Sequence, residues 1–447
     1  MFHIKNSVQH KNLFMLALPM IFSNITVPLL GLVDTAVIGH LDHAYYLGGA
    51  TVGAMVITFI TWLCGFLRMS TTGLAAQAFG EQDSQLGIII LFRGILVAFL
   101  VGLTLIVCQI FYLDGALFLA GGSEQVQFYA RQYSDIRIWG LPAALANLVI
   151  LGWLLGNHQT KTVMWLLIFT NLVNLALDLF FVLVLDWQVK GIATATLIAE
   201  YSGLMLGFFV IGVNFNEAIK RAFNTQKQLV KAVFEKNELL AYFQLNRDIL
   251  IRTLCLELCF VFITFQGARL GDNAVAANAI LMNFVLLISF GLDGIANAVE
   301  AMVGKAKGAK DYITLNITVD ISLFWTAIFA LSYSVLFFFA GEIFVTWITD
   351  IEEVIAFTNQ YLFWVMILPV LGCWCYLFDG IYIGLMRAKA MRNSMVIATF
   401  AGFFPMWFIL KDYGNHALWA ALSLFLLARG VTLAWHYYYR VKVSIED

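Results

Sequence analysis

Residues 88–109 read IIILFRGILVAFLVGLTLIVCQ, and residues 321–340 read ISLFWTAIFALSYSVLFFFA. Both runs are apolar all round. A helix on the surface of a soluble globule keeps a polar stripe, and these have none. Each is about 20 residues long, the length that crosses a ~30 Å hydrocarbon layer as a helix. The short alternating segments of a membrane β-barrel are absent. The whole chain follows the same trend. Of its 447 residues 61% are hydrophobic types and 12% are charged. A soluble domain is nearer half apolar and a quarter charged, so the excess here must face lipid.

Hydropathy gives six spans in a first half, at 13–38, 47–75, 85–112, 126–153, 161–185 and 190–213. Six more follow at 246–270, 275–303, 311–340, 354–386, 391–410 and 415–440. The expected architecture is an all-α integral membrane protein of twelve transmembrane helices, with lobes at 1–213 and 246–447 and a polar connection at 214–245. The loops sort by sign. Lys5, Lys11, Lys161, Lys305, Lys307, Lys310, Arg387, Lys389, Arg392, Arg440 and Lys442 fall on one side, with Lys220, Arg221, Lys227, Lys231 and Lys236 of the connection. The opposite loops hold mainly acids, among them Asp42, Asp114, Glu124, Asp186, Asp272 and Glu342. Basic loops stay inside, so both termini and the connection are expected in the cytoplasm and the protein in the inner membrane. Met1 to Lys11 is polar and leads straight into a long helix, so no cleavable signal is expected.

The halves repeat at a shift of about 228 residues. Gly80 in Ala78-Phe79-Gly80-Glu81-Gln82-Asp83 meets Gly308 in Ala306-Lys307-Gly308-Ala309-Lys310-Asp311. Tyr133 meets Tyr361, Gly156 meets Gly384, Lys161 meets Lys389, and Pro142 meets Pro369 one residue out of step. Six helices per half is an even number, so both halves enter from the same side. That pattern belongs to carriers whose two bundles flank a central cleft. Pro19 and Pro28 in the first helix, with Pro142, Pro369 and Pro405, mark places where helices bend. A fixed kink is the ordinary role of such a proline, and a moving hinge is the functional one.

An ionisable group at membrane depth costs roughly 2.5–3.5 kcal/mol and marks an interior or a wet cavity. The spans contain Asp34, Arg68, Asp178, Glu200, Arg252, Glu257, Asp293, Glu300, Asp320, Asp379 and Arg429. At 1.5 Å per residue, Asp34, Asp178 and Thr196 lie about five to seven residues from the outer ends of their helices and share one layer. Asn174 is one turn from Asp178 on the same face. Two carboxylates, an amide and a hydroxyl at one depth can hold protons or a hard cation such as Na⁺. Hydrogen bonding to neighbouring helices is the structural alternative. Glu257, near mid-depth, is the candidate of the second half. Arg68, Glu300, Asp379 and Arg429 lie nearer the cytoplasmic ends, where they snorkel or pair. Asp135, between Arg131 and Arg137, reads as an interfacial ion-pair cluster.

Other chemistries find no support. There is no HExxH and no nucleophile elbow. Val303-Gly304-Lys305-Ala306 lacks the leading glycine and the Ser/Thr of a phosphate-binding loop. An enzyme and a resident cofactor are therefore not expected. Cys64, Cys108, Cys255, Cys259, Cys373 and Cys375 all fall in apolar segments and read as small hydrophobes. No basic run points to nucleic acid, and a monomer in contact with membrane lipids is expected. Uphill transport would have to run on an ion gradient.

The residues also resemble a known family. Ala17-Leu18-Pro19 through Leu32-Val33-Asp34-Thr35-Ala36-Val37-Ile38-Gly39 is similar to the first helix of multidrug and toxic compound extrusion (MATE) transporters, DinF branch. Arg68-Met69-Ser70-Thr71-Thr72-Gly73-Leu74-Ala75-Ala76-Gln77-Ala78-Phe79-Gly80 resembles that branch's second helix. The resemblance implies a V-shaped pair of six-helix lobes that exports organic cations and lipophilic compounds in exchange for H⁺ or Na⁺. It implies a coupling site in the first lobe at Asp34, Asn174 and Asp178, joined by Thr196 and, more loosely, Asn147. A Na⁺ ion would use Asp34, Asn174, Asp178 and Thr196. Other branches use a glutamate of the seventh helix, which Glu257 matches in position. The expected function is proton-coupled multidrug antiport, with helix 1 bending near Pro28. A Na⁺-coupled antiporter and a lipid-precursor flippase are the alternatives.

Overall fold

In the computed structural model the backbone is described for residues 7–39, 44–120, 123–224 and 226–442. The side chains of 26–39, 44, 118, 120, 222–224, 226–229 and 272 lie outside that description. Lys5, Asp42 and the side chains of Pro28, Asp34, Lys227 and Asp272 therefore fall outside the described residues. Every regular element that is described is helical.

Twelve long helices form two pseudo-symmetric bundles of six. We number them α1 (Ser7–Gly39), α2 (Tyr45–Gly80), α3 (Ser84–Val107), α4 (Glu124–Gly156), α5 (Thr160–Val184), α6 (Gln188–Asn214), α7 (Lys236–Arg269), α8 (Asn273–Gly308), α9 (Tyr312–Ile348), α10 (Glu352–Gly384), α11 (Ala388–Tyr413) and α12 (Asn415–Val441). Among the described residues, ten of them, α2–α6 and α8–α12, are long and apolar enough to span a bilayer on composition alone. The helix α7 is more polar, carrying Arg247, Asp248, Arg252 and Glu257, and it begins ten residues before the expected 246.

Helix breaks follow local chemistry. In α2, Ala44–Leu63 and Phe66–Gly80 meet at Cys64–Gly65. In α4, Glu124–Arg137 passes through a 3₁₀ turn, Ile138–Gly140, into Leu141–Gly156. Pro142 sits in the first turn of that last segment, where a missing N–H leaves no bond unmade. Pro405 sits likewise at the start of Phe404–Leu410 in α11. Pro369 lies inside an unbroken helix. The end of α5, Phe180–Val184, is a π-turn.

The repeat is written into the backbone. Asp83 and Asp311 cap α3 and α9, each accepting at 2.9 Å from the N–H three residues on, of Leu86 and Thr314. Gln82 and Lys310 take positive φ of 58° and 56°, and His158 and Met386 take 61° and 55°. Gly152 and Gly380 are equivalent at the 228 shift. A Cβ on either would stand 2.5 Å from a carbonyl, of Arg68 and of Ala296. One turn on, a Cβ on Gly156 or Gly384 would stand 2.7 or 2.6 Å from the carbonyl of Thr72 or Glu300. These two GxxxG seams let α4 meet α2, and α10 meet α8, backbone to backbone.

By contacts the chain divides into Phe22–Phe243, here called the first lobe, and a second lobe of residues through Ile21 with Gln244–Asp447. The start of α1 thus belongs to the second lobe. There Trp325 Nε1 donates to His10 Nδ1 at 2.8 Å, Phe14 meets the Trp325 ring edge-on, and Gly294 leaves room for Ile21. The connection is largely helical, with short helices Asn216–Asn224 and Gln226–Val233. It docks on the first lobe. Arg93 reaches the Ala232 carbonyl at 2.9 Å and Glu238 at 3.3 Å, and Ser70 contacts the Tyr242 hydroxyl at 3.4 Å.

Candidate functional site

In the first lobe α5 and α6 bring three of the predicted residues together. Asn174 and Asp178 are one turn apart on α5 and fully buried. Asn174 Nδ2 donates at 3.2 Å to Thr196 Oγ1 on α6, and Thr196 in turn donates to the Ile192 carbonyl at 3.0 Å. Asn174 Oδ1 has no hydrogen-bond partner among the described residues. The π-turn at Phe180 begins two residues after Asp178, a distortion common beside functional groups. The α1 backbone is helical through Asp34, and its carboxylate lies outside the described residues.

Asn147 on α4 does not join this hydrogen bond. Its Nδ2 donates at 2.9 Å to the carbonyl of Glu200, one turn beyond Thr196 on α6. Glu200 forms a bidentate ion pair with Arg137, both N–O distances 2.8 Å. This corrects the reading of Arg137 as interfacial. Arg131 and Asp135 do pair at the exposed surface, at 2.7 Å, joined by Asp114. Arg137 points the other way and is 8% exposed. A step of six residues turns a helix by about 600°, which leaves Arg131 and Arg137 about 120° apart on α4 and on different faces.

The second lobe holds a different polar centre. Arg252 of α7 and Arg429 of α12 both donate to Asp379 Oδ2 of α10, Arg429 at 2.6 Å. All three are less than 10% exposed. Asp379 and Arg429 therefore form a buried interhelical cluster and do not snorkel. Asp248, one turn from Arg252, accepts from Arg392 at 2.7 Å. Elsewhere in this lobe Asn278 and Asn415 exchange reciprocal amide bonds at 2.8 and 2.9 Å, and Trp419 Nε1 donates to Asn278 Oδ1 at 2.9 Å. Glu257 is half-buried on α7 and makes no ion pair among the described residues. Hydropathy alone could have flagged Arg137 as it did Glu200, since each sits near the middle of its span, the fourth and the sixth. Arg252, Asp379 and Arg429 each stood out as ionisable residues inside spans, but nothing in the sequence paired three residues on separate helices.

Twelve helices in two repeated six-helix lobes are the architecture of a membrane transporter. The sequence matches the MatE family over residues 19–180 and 249–408, and the chain belongs to that family. It is 45% identical over 434 residues to DNA damage-inducible protein F of Escherichia coli K12, covering 96% of this chain and 93% of that one. It is 23% identical to the probable multidrug resistance protein NorM of Bacillus anthracis, over 92% and 90% of the two chains. The same fold occurs in the Vibrio cholerae MATE transporter VcmN in its bent form, with a TM-score of 0.84 at 21% identity over 98% of both chains. It also occurs in an outward-facing multidrug resistance MATE transporter of the MOP superfamily, with a TM-score of 0.85 at 16% identity over 98% and 97%.

Proposed function

We propose that this transporter exports lipophilic and cationic drugs from the cytoplasm by antiport, with H⁺ taken up at Asp178 and Asp34 of the first lobe. The buried Asp178 beside the Asn174–Thr196 bond carries the reading. A carboxylate at membrane depth is costly and marks an ion pathway. It sits with an amide and a hydroxyl that can rearrange when its charge changes. Both termini lie in the cytoplasm on this reading, and protons enter from the opposite face. Protonation removes a charge and re-sorts the hydrogen bonds, α1 repacks near Pro28, and the drug is released. The relatives named for multidrug resistance support the substrate class.

Na⁺ is the second reading, because the Asn174 and Thr196 oxygens and two carboxylates also suit a hard cation. Transport by reconstituted protein under separately imposed H⁺ and Na⁺ gradients tests both. Drug movement driven by the H⁺ gradient alone supports the proposal. Movement only with Na⁺ replaces it with the second reading. In cells lacking other pumps, Asp34→Asn is expected to abolish efflux, and wild-type efflux would remove Asp34 from the coupling site.

A further inference from the structure

We infer that the Arg137–Glu200 ion pair is a positioning device for the coupling cluster: it fixes α6 against α4 so that Thr196 stays on Asn174. This rests on the reading of that cluster given above. Burying an ion pair is a poor way to hold two helices together. An apolar pair of similar volume packs as well without the desolvation cost. Yet α4 is shaped around this pair. A Cβ on Gly140 would stand 2.4 Å from Glu200 Oε2 and 2.9 Å from the Arg137 guanidinium. Gly140 closes the 3₁₀ turn that interrupts α4, so the turn and the bare glycine together form the seat.

Further ties act on the same stretch of α6. Asn147 holds the Glu200 carbonyl at 2.9 Å, and Tyr201 donates to the Trp139 carbonyl at 2.9 Å. Gly203 is bare where a Cβ would meet Thr170 Oγ1 at 2.5 Å. Glu200 lies four residues from Thr196, on the same helix face. The Asn174–Thr196 bond is already 3.2 Å long, at the upper end for N–H···O. A slip of α6 by about one ångström would break it. The tie also goes only where the cluster goes. At the 228 shift Arg137, Gly140, Asn147 and Glu200 meet Val365, Leu368, Cys375 and Ala428.

The test is a double-mutant cycle on reconstituted transporter, with a fluorescent lipophilic cation as probe. Glu200→Gln should cut turnover about 10- to 100-fold, the range seen when residues behind a functional ligand are removed. Probe affinity, read by anisotropy, should stay near wild type. In a Thr196→Ala background Glu200→Gln should cost nothing further. Arg137→Met with Glu200→Leu removes both charges of this part-buried pair together, so it should fold and melt like wild type and still turn over slowly. Independent, additive losses for Glu200→Gln and Thr196→Ala would overturn the inference. So would full turnover in the apolar double variant, which is what a merely structural pair predicts. If Asp178→Asn and Thr196→Ala lose turnover and Glu200→Gln does not, the inference alone fails. If those two keep wild-type turnover, the coupling reading fails and takes the inference with it.

Discussion

The two lobes share a scaffold and differ in chemistry. Equivalent glycines, caps and left-handed turns recur 228 residues apart, and a Cβ on Gly152 or Gly380 would meet a carbonyl at the same distance. The polar centres do not recur. Asp178, Asn174 and Thr196 meet Met406, Gly402 and Leu424, while Arg252, Asp379 and Arg429 meet Asn24, Leu151 and Tyr201. In the first lobe the buried Asp178 sits one turn from Asn174, which bonds Thr196, and apart from the part-buried Arg137–Glu200 pair. In the second, two arginines close on one aspartate. A carboxylate held by two guanidiniums is tied up in structure. One beside an amide and a hydroxyl is the arrangement that the proposed coupling uses. Duplication thus supplied the packing twice, and each lobe then spent its buried charge differently.

The largest effect should come from breaking the second-lobe cluster. Asp379→Asn leaves two buried arginines without their carboxylate, a loss of about 3–5 kcal/mol. The expected outcome is a marked fall in melting temperature in detergent. A stable Asp379→Asn protein that has lost only its ion coupling would erase the contrast between lobes.

In the first lobe the loss should be functional. Asp178→Asn should bring gradient-driven efflux down to that of cells lacking the transporter, with the melting temperature held or raised, because a buried charge is gone. Unfolding of this variant in place of lost transport would make the first-lobe cluster structural as well.

The seams should respond alike. Gly152→Ala and Gly380→Ala each force a Cβ onto a carbonyl 2.5 Å away and should each cost about 1–3 kcal/mol in thermal unfolding. A cost at one site only would show that the repeat is not used equally.

The smallest effects belong to the caps. Asp83→Ala and Asp311→Ala should each lower stability by about 1 kcal/mol. The hydroxyl and N–H of Thr314 hold the Asp311 carboxyl below its ordinary range. Its pKa is thus lower in the folded than in the unfolded chain. The stabilisation is present at neutral pH and fades as pH falls through the acid range. Melting curves of wild type and Asp311→Ala should therefore converge in acid, and a gap that stays constant with pH would refute the cap's charge dependence.

The sequence by itself determined the class of molecule. Apolar runs of membrane-spanning length and loops of opposed sign need no tertiary knowledge, because lipid selects for them residue by residue. The repeat was legible because turns and close contacts demand particular residues, as at Gly156 and Gly384. Asn174 and Asp178 were legible as a pair because a helix fixes their spacing. Other features came only from the fold. Arg137 turned from the surface to Glu200, and Asn147 took a backbone carbonyl in place of the cluster. Arg252 and Arg429 converged on Asp379, and the start of α1 joined the second lobe. Helical periodicity sets which way a side chain faces. Which neighbour it meets there depends on how separate helices pack, and that was decided in three dimensions.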